Sequence, residues 1–131
     1  MTIELTMLAY STALLLVLVL IQATAGVMSN GLGPMAGSRD DLPAPKPFAA
    51  RARRVVDNHR EGLTIFAPLV LIAAVAQVHT EVTALAAQIF FAARVAHAGL
   101  YLLGVPLVRP AAWAVGLAAT LMMLGAVLGF G

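Results

Sequence analysis

The sequence RVAHAGLY at residues 94–101 places polar side chains inside a long apolar segment. Residues three and four apart lie on the same face of a helix, so Arg94, His97 and Tyr101 point in one direction. A cation well inside a membrane span costs roughly 2.5 to 3.5 kcal/mol on insertion scales, so it is retained where it faces a bundle interior and has a partner. This stretch therefore predicts a polar site between membrane-spanning helices.

The composition of the whole chain agrees with a membrane protein. Of its 131 residues, 61% are hydrophobic and 11% are charged, whereas a soluble domain has about 25% charged residues. The length allows about four helical spans of roughly 20 residues. The absence of cysteine excludes disulfides and thiolate metal sites. No two histidines have a metal-binding spacing, and the net charge of +2 is too small to indicate a nucleic-acid partner.

Apolar segments predict four spans, at about residues 5–27, 49–78, 82–105 and 110–130. We therefore predict an all-α integral membrane protein, in which residues 1–131 form a single four-transmembrane-helix bundle. Glycines and prolines between residues 28 and 48 predict a loop. Six of the eight basic residues lie between Arg39 and Arg60. By the positive-inside rule this loop is cytoplasmic, and both termini lie outside the cytoplasm.

A second polar cluster precedes the apolar part of the second helix. Arg51, Arg54, Asn58 and Glu61 are spaced by three, four and three residues, which keeps them on one helical face. An antiparallel neighbour could bring Glu61 against Arg94 as a buried ion pair. Two other histidines, His59 and His79, are predicted to lie at the surface.

Three cations, Arg51, Arg54 and Arg109, could surround a pocket suited to carboxylates. Arg51 and Arg54 are equally compatible with contacts to anionic lipid at the membrane surface. Asn58 can both donate and accept hydrogen bonds, as an amide ligand requires.

The two clusters together resemble the MAPEG superfamily, membrane-associated proteins in eicosanoid and glutathione metabolism. The resemblance is carried by Arg51-x-x-Arg54-x-x-x-Asn58-x-x-Glu61, followed by Arg94-Val95-Ala96-His97-x-x-x-Tyr101. It implies a bacterial-type protein of the inner membrane, assembled as a homotrimer. Glutathione as co-substrate would bind between subunits, and a hydrophobic electrophile would enter from membrane lipid. The residues that the resemblance assigns to glutathione binding are Arg51, Arg54, Asn58, Glu61, Arg94, His97 and Tyr101.

The resemblance also assigns the catalytic role to Arg109, whose fixed positive charge would favour the glutathione thiolate. Three residues depart from the family pattern. Asp57 stands where glutathione-using relatives carry an arginine, Pro110 where some carry a serine, and Trp113 where a tyrosine is usual.

Whether the chain is an enzyme therefore stays open. It could be a glutathione-dependent transferase or peroxidase of the microsomal type, or a non-catalytic lipid- or ligand-binding protein on the same scaffold. A small transporter is a third interpretation, but both polar clusters lie toward one side of the membrane.

Overall fold

A computed structural model describes residues 1–130 of the chain, and this part is helical without strands. The helices are α1 (Ile3–Asn30), α2 (Leu32–Ala36), α3 (Pro47–Val75), α4 (Glu81–Leu102) and α5 (Arg109–Val127). The all-α prediction is confirmed. The four long helices overlap the four predicted spans, whereas α2 is a short helix inside the region predicted to be a loop.

The ends of the helices follow from local sequence. The hydroxyl of Thr2 accepts a hydrogen bond from the Leu5 amide at the start of α1. At the other end of α1, Gly31 has a φ of 85°, which glycine adopts without steric cost. Pro47 occupies the first turn of α3, where its missing N–H is not needed. Thr80 and Thr83 form a reciprocal capping box at the start of α4.

Helices α1 and α3 run antiparallel to each other. The start of α1 contacts the end of α3, where Glu4 binds His79. Ser11 meets His59 near the middle, and Ser29 shares a groove with Lys46, the residue that precedes α3. We call the end of the bundle that carries residues 31–46 and 103–108 the loop end. The opposite end, with residues 76–80, is called the turn end.

The apolar core lies between α3, α4 and α5 in the half of the bundle toward the turn end. Phe66 of α3 and Phe90 of α4 stack face to face, with ring centroids 3.8 Å apart and planes 5° from parallel. Val70 and Met123 are fully buried beside them. This packed half holds the backbones of the three helices at a fixed spacing and so positions the polar residues nearer the loop end.

A buried carboxylate joins three elements at the turn end. Glu4 is only 3% exposed. It accepts hydrogen bonds from the Thr83 hydroxyl and from Nδ1 of His79, which lies 2.7 Å from Oε1 and 2.9 Å from Oε2. His79 is exposed, as predicted, but it is also half of an ion pair. The contact fixes the start of α1 against the α3–α4 turn and the first turn of α4.

Three helices, α1, α4 and α5, are long and apolar enough to cross a membrane. Their outward faces carry exposed large hydrophobic side chains such as Leu16, Leu20 and Leu121. These features agree with the prediction of an integral membrane protein. Helix α3 is as long as α1, but the charged residues of its first half distinguish it from the other three.

Candidate functional site

The centre of the site is a guanidinium buried between helices. Arg94 on α4 is 3% exposed. Its Nε donates a hydrogen bond to Nδ1 of His59 at 3.2 Å, and its Nη2 donates to Oδ1 of Asn58 at 2.7 Å. Because a guanidinium has five N–H groups, these two bonds leave further donors for a ligand or water.

Two glycines provide the room for Arg94. A Cβ on Gly62 of α3 would lie 3.8 Å from Cζ of Arg94, and one on Gly116 of α5 would lie 3.5 Å from its Cδ. Larger side chains at either position would occupy the space that the guanidinium and its methylene stem now fill. Neither glycine was predicted from the sequence to belong to the site.

The predicted ion pair between Arg94 and Glu61 is not formed. Within residues 1–130 the ion pairs are Arg60 with Asp57 and His79 with Glu4. Glu61 is exposed, and the neutral amide of Asn58, almost one helical turn earlier, meets Arg94 instead. The face of α4 that carries Arg94 does lie against α3. Arg94 contacts α3 at Asn58, which is almost one turn closer to the loop end than Glu61.

The prediction that His59 lies at the surface is wrong. His59 is 1% exposed. Because its Nδ1 accepts from Arg94, its Nε2 carries the hydrogen and donates to the backbone oxygen of Ser11 at 2.8 Å. His59 thereby links α1, α3 and α4.

A sequence signal for the burial of His59 was present in α3. His59 lies on a series of positions with alternating spacings of four and three, the pattern of a buried helical face. All the members of this series are buried: Ala52, Val56, His59, Leu63, Phe66 and Val70.

A second cluster surrounds Tyr101, one turn beyond His97 on α4. Nε of Arg54 donates to the Tyr101 hydroxyl at 3.0 Å. Cζ of Arg109 lies 4.4 Å from the centroid of the Tyr101 ring, within the range of a cation–π contact. His97 meets the same ring edge-on at a centroid distance of 5.5 Å. One phenol therefore positions two arginines from different helices.

Arg51 is separate from the Tyr101 cluster. Its Nε donates to the backbone oxygen of Leu102 at 3.2 Å, near the end of α4. A cation at this position satisfies a carbonyl that the helix itself leaves free. Its Cζ also lies 5.9 Å from the ring centroid of Phe48. Of the three predicted cations, the structure brings together Arg54 and Arg109, and it places Arg51 at the end of α4.

The remaining predicted residues line two neighbouring cavities. The outer one, an open cavity of about 280 Å³, is lined by Asn58, His97, Tyr101, Arg109, Pro110 and Trp113. The inner one, of about 90 Å³, includes Glu61, Arg94 and Thr120 in its lining. Asn58 and Trp113 line both cavities, so Trp113 forms a wall that the two share.

His97 brings an unsatisfied group to this region. Its side chain is 2% exposed, and its Nδ1 is buried without a hydrogen-bond partner among residues 1–130. Arg109 and the free donors of Arg94 make the region electropositive, and His97 adds a group that can form a hydrogen bond. Such a site can bind an anion that also carries amide groups. Within residues 1–130 no group of three potential ligands could hold a metal ion.

Fold and site together define an integral membrane protein of the helical-bundle class with a cationic site between its helices. The sequence profile of the MAPEG family matches residues 7–129, and the chain belongs to this family. A search among curated proteins and a search among solved structures each gave no match.

Proposed function

We propose that the protein is a membrane-bound, glutathione-dependent transferase or peroxidase that acts on lipophilic electrophiles. The observation that carries this proposal is the outer cavity, which Arg109, Tyr101, His97 and Asn58 line together. Membership of the MAPEG family supports it, because the family includes enzymes of this kind.

Arg109 has the chemistry for the catalytic role. Its guanidinium is held against the face of Tyr101 rather than neutralised by a carboxylate, and it is in no ion pair among residues 1–130. A fixed cation beside a thiol favours the thiolate, which is the nucleophile. In the transferase reaction the thiol proton would pass to water and the thiolate sulfur would bond to the electrophilic carbon. In an addition the π bond of that carbon breaks and its far end takes a proton from water, and in a substitution the leaving group departs with the bonding electron pair. In the peroxidase reaction two thiols would reduce a hydroperoxide to an alcohol and water, forming a disulfide.

The binding roles that we propose are those that the family resemblance assigns, and they agree with the charges of the side chains. Arg54 and Arg51 would bind carboxylates of glutathione, and Asn58 would bind an amide group. Glu61, which lines the inner cavity without an ion-pair partner among residues 1–130, would bind the ammonium group. The spare donors of Arg94 and the ring of His97 would complete the polar contacts.

We also propose that α3 is a fourth span and that three copies assemble. Helix α3 is about 43 Å long at 1.5 Å per residue, and it lies antiparallel to the apolar α1 from end to end. One face of α3 carries the exposed side chains of Asp57, Arg60 and Glu61. Partner copies would shield this face from lipid, because exposed charge is costly in a membrane. The loop end would face the cytoplasm of a bacterium and both termini the outside.

The second candidate is a non-catalytic lipid- or ligand-binding protein on the same scaffold. Pro110 and Trp113 support it, since both line the outer cavity at positions that depart from the family pattern. Asp57 gives it less support than the sequence indicated. Its carboxylate pairs with Arg60 at 2.7 Å and lines a different surface cavity from Arg109. It therefore does not oppose a glutathione carboxylate in the outer cavity.

Calorimetric titration of glutathione into detergent-purified protein tests the proposal. We expect saturable binding that weakens about tenfold or more in Arg109→Ala, because a charged hydrogen bond contributes about 1.5 to 3 kcal/mol. Arg53→Ala is the matched control, since Arg53 is exposed and lines none of the cavities beside Arg94 or Tyr101. Absence of binding at millimolar glutathione would reject this thiol and favour the non-catalytic candidate.

A further inference from the structure

A large cavity lies outside the candidate site. It is a groove of about 580 Å³ between the second half of α1 and the residues that begin α3. On one side it is lined by α1 residues between Val17 and Ser29, and on the other by Lys46, Phe48 and Ala49. We call it the α1–α3 groove. It shares no lining residue with either cavity of the candidate site.

The dimensions of the groove correspond to a single hydrocarbon chain. From Val17 to Ser29 there are twelve helical steps, or about 18 Å, while one leaflet of a bilayer core is about 15 Å thick. A volume of 580 Å³ spread over about 18 Å leaves a mean cross-section of about 32 Å². A helix of 10 Å diameter has a cross-section of about 79 Å², so the groove could receive one side of a helix but could not enclose it.

The polar groups of the groove lie toward one end. Because α3 runs antiparallel to α1, Lys46 lies at the loop end, beside Ser29. The opposite end is lined by Val17, Leu20 and Ile21. Lys46 is the only cation in the lining within residues 1–130, and none of the acidic residues described there lines the groove. A long apolar groove with a lysine at its headgroup end complements an amphiphile with an anionic head.

We propose that the α1–α3 groove binds an anionic phospholipid. One acyl chain lies along α1, and the ammonium group of Lys46 contacts the headgroup. This proposal does not depend on glutathione chemistry. Phe48, which lines the groove, has its ring centroid 5.9 Å from Cζ of Arg51, so a bound chain would pack beside a side chain that lies near Arg51.

Native mass spectrometry tests the headgroup contact. The protein is released from micelles that contain equal amounts of phosphatidylglycerol and phosphatidylcholine. One lysine near a membrane surface contributes about a fivefold preference for anionic lipid. We expect about this preference in the wild type, its loss in Lys46→Ala and its retention in Lys46→Arg. Arg39→Ala is the control, because Arg39 is exposed at the same end and binds the Met35 backbone oxygen outside the groove. Equal binding of the two lipids, or an unchanged preference in Lys46→Ala, would refute the proposal.

A second pair of variants tests the chain itself. Thr24→Phe places a ring in the groove, whereas Ala23→Phe adds the same ring at a neighbouring exposed position outside its lining. We expect Thr24→Phe to reduce binding of both lipids and Ala23→Phe to leave it unchanged. If Thr24→Phe changes the oligomeric state without changing lipid binding, a second copy occupies the groove and the proposal is wrong. Glutathione titration of the same variants separates this outcome from failure of the proposed enzyme function.

Discussion

Replacement of His59 by leucine should destabilise the protein strongly, although the sequence analysis placed this residue at the surface. Leucine is apolar and lacks both ring nitrogens. The variant therefore loses the bond from Nε of Arg94 and the bond to the Ser11 backbone oxygen. A hydrogen bond from a charged donor contributes about 1.5 to 3 kcal/mol and a neutral one about 0.5 to 1.5 kcal/mol. The expected loss of unfolding free energy is about 2 to 4.5 kcal/mol.

The conservative variant His59→Gln should lose less. Its terminal amide nitrogen takes a position close to that of Nε2, so it can still donate to the Ser11 backbone oxygen. Only the bond from Arg94 is then at risk. We expect a destabilisation between that of His59→Leu and the wild type.

Unfolding in mixed micelles, followed by far-ultraviolet circular dichroism, measures these differences. Arg53→Ala is the control, because an exposed residue of α3 without a described partner should change stability by no more than about 0.5 kcal/mol. A His59→Leu variant as stable as this control would show that the bonds of His59 do not stabilise the fold. Equal losses in His59→Leu and His59→Gln would refute the role given to the Ser11 contact.

Three further predictions concern the turn end, the Tyr101 cluster and the space around Arg94. Glu4→Ala should cost about 2 to 3 kcal/mol of unfolding free energy in the same assay, because it removes the hydrogen bonds that the buried carboxylate accepts from Thr83 and His79. In calorimetry, Tyr101→Phe should weaken glutathione binding less than Tyr101→Leu, because phenylalanine keeps the ring that Arg109 contacts. Equal effects of the two substitutions would contradict the cation–π role. Gly116→Ala should change the unfolding free energy by less than about 1 kcal/mol. Gly116→Val should lower it by about 1 to 3 kcal/mol, because the larger side chain displaces Arg94. Equal stability of the two variants would refute the steric argument.

The long apolar helices and the side of α4 that carries its polar residues were predictable from the sequence, because each depends on a single segment of the chain. Hydropathy identifies a long apolar helix, and a spacing of three and four residues places Arg94, His97 and Tyr101 on one side of it. The structure does bury Arg94 and His97 between helices. These features need no knowledge of the neighbouring helix.

The partner of Arg94 was not predictable from spacing. Asn58 and Glu61 lie on one face of α3 and differ by almost one turn, so the choice depends on the axial offset between α3 and α4. Packing of aromatic residues such as Phe66 and Phe90 determines this offset, and no local pattern contains it. The burial of His59 was different. Its position in a series of apolar residues on one helical face indicates burial. Histidine is polar, however, and its residue type alone favoured the surface.

The hydrogen bonds that join α1 to the rest of the bundle are unevenly distributed along the helix. Its first nine residues are bound to the rest of the bundle at Glu4 and at the Ser11 backbone oxygen. Beyond Ser11, the side-chain hydrogen bonds of α1 within residues 1–130 are local, and none reaches α3, α4 or α5. Beyond Ser11, α1 is therefore held by apolar packing, with Leu18 buried against Val55, Val56 and Ala98. Among the described residues, the hydrogen bonds of Arg94 involve α3 and α4 alone, so a rearrangement of α1 beyond Leu18 would leave them in place.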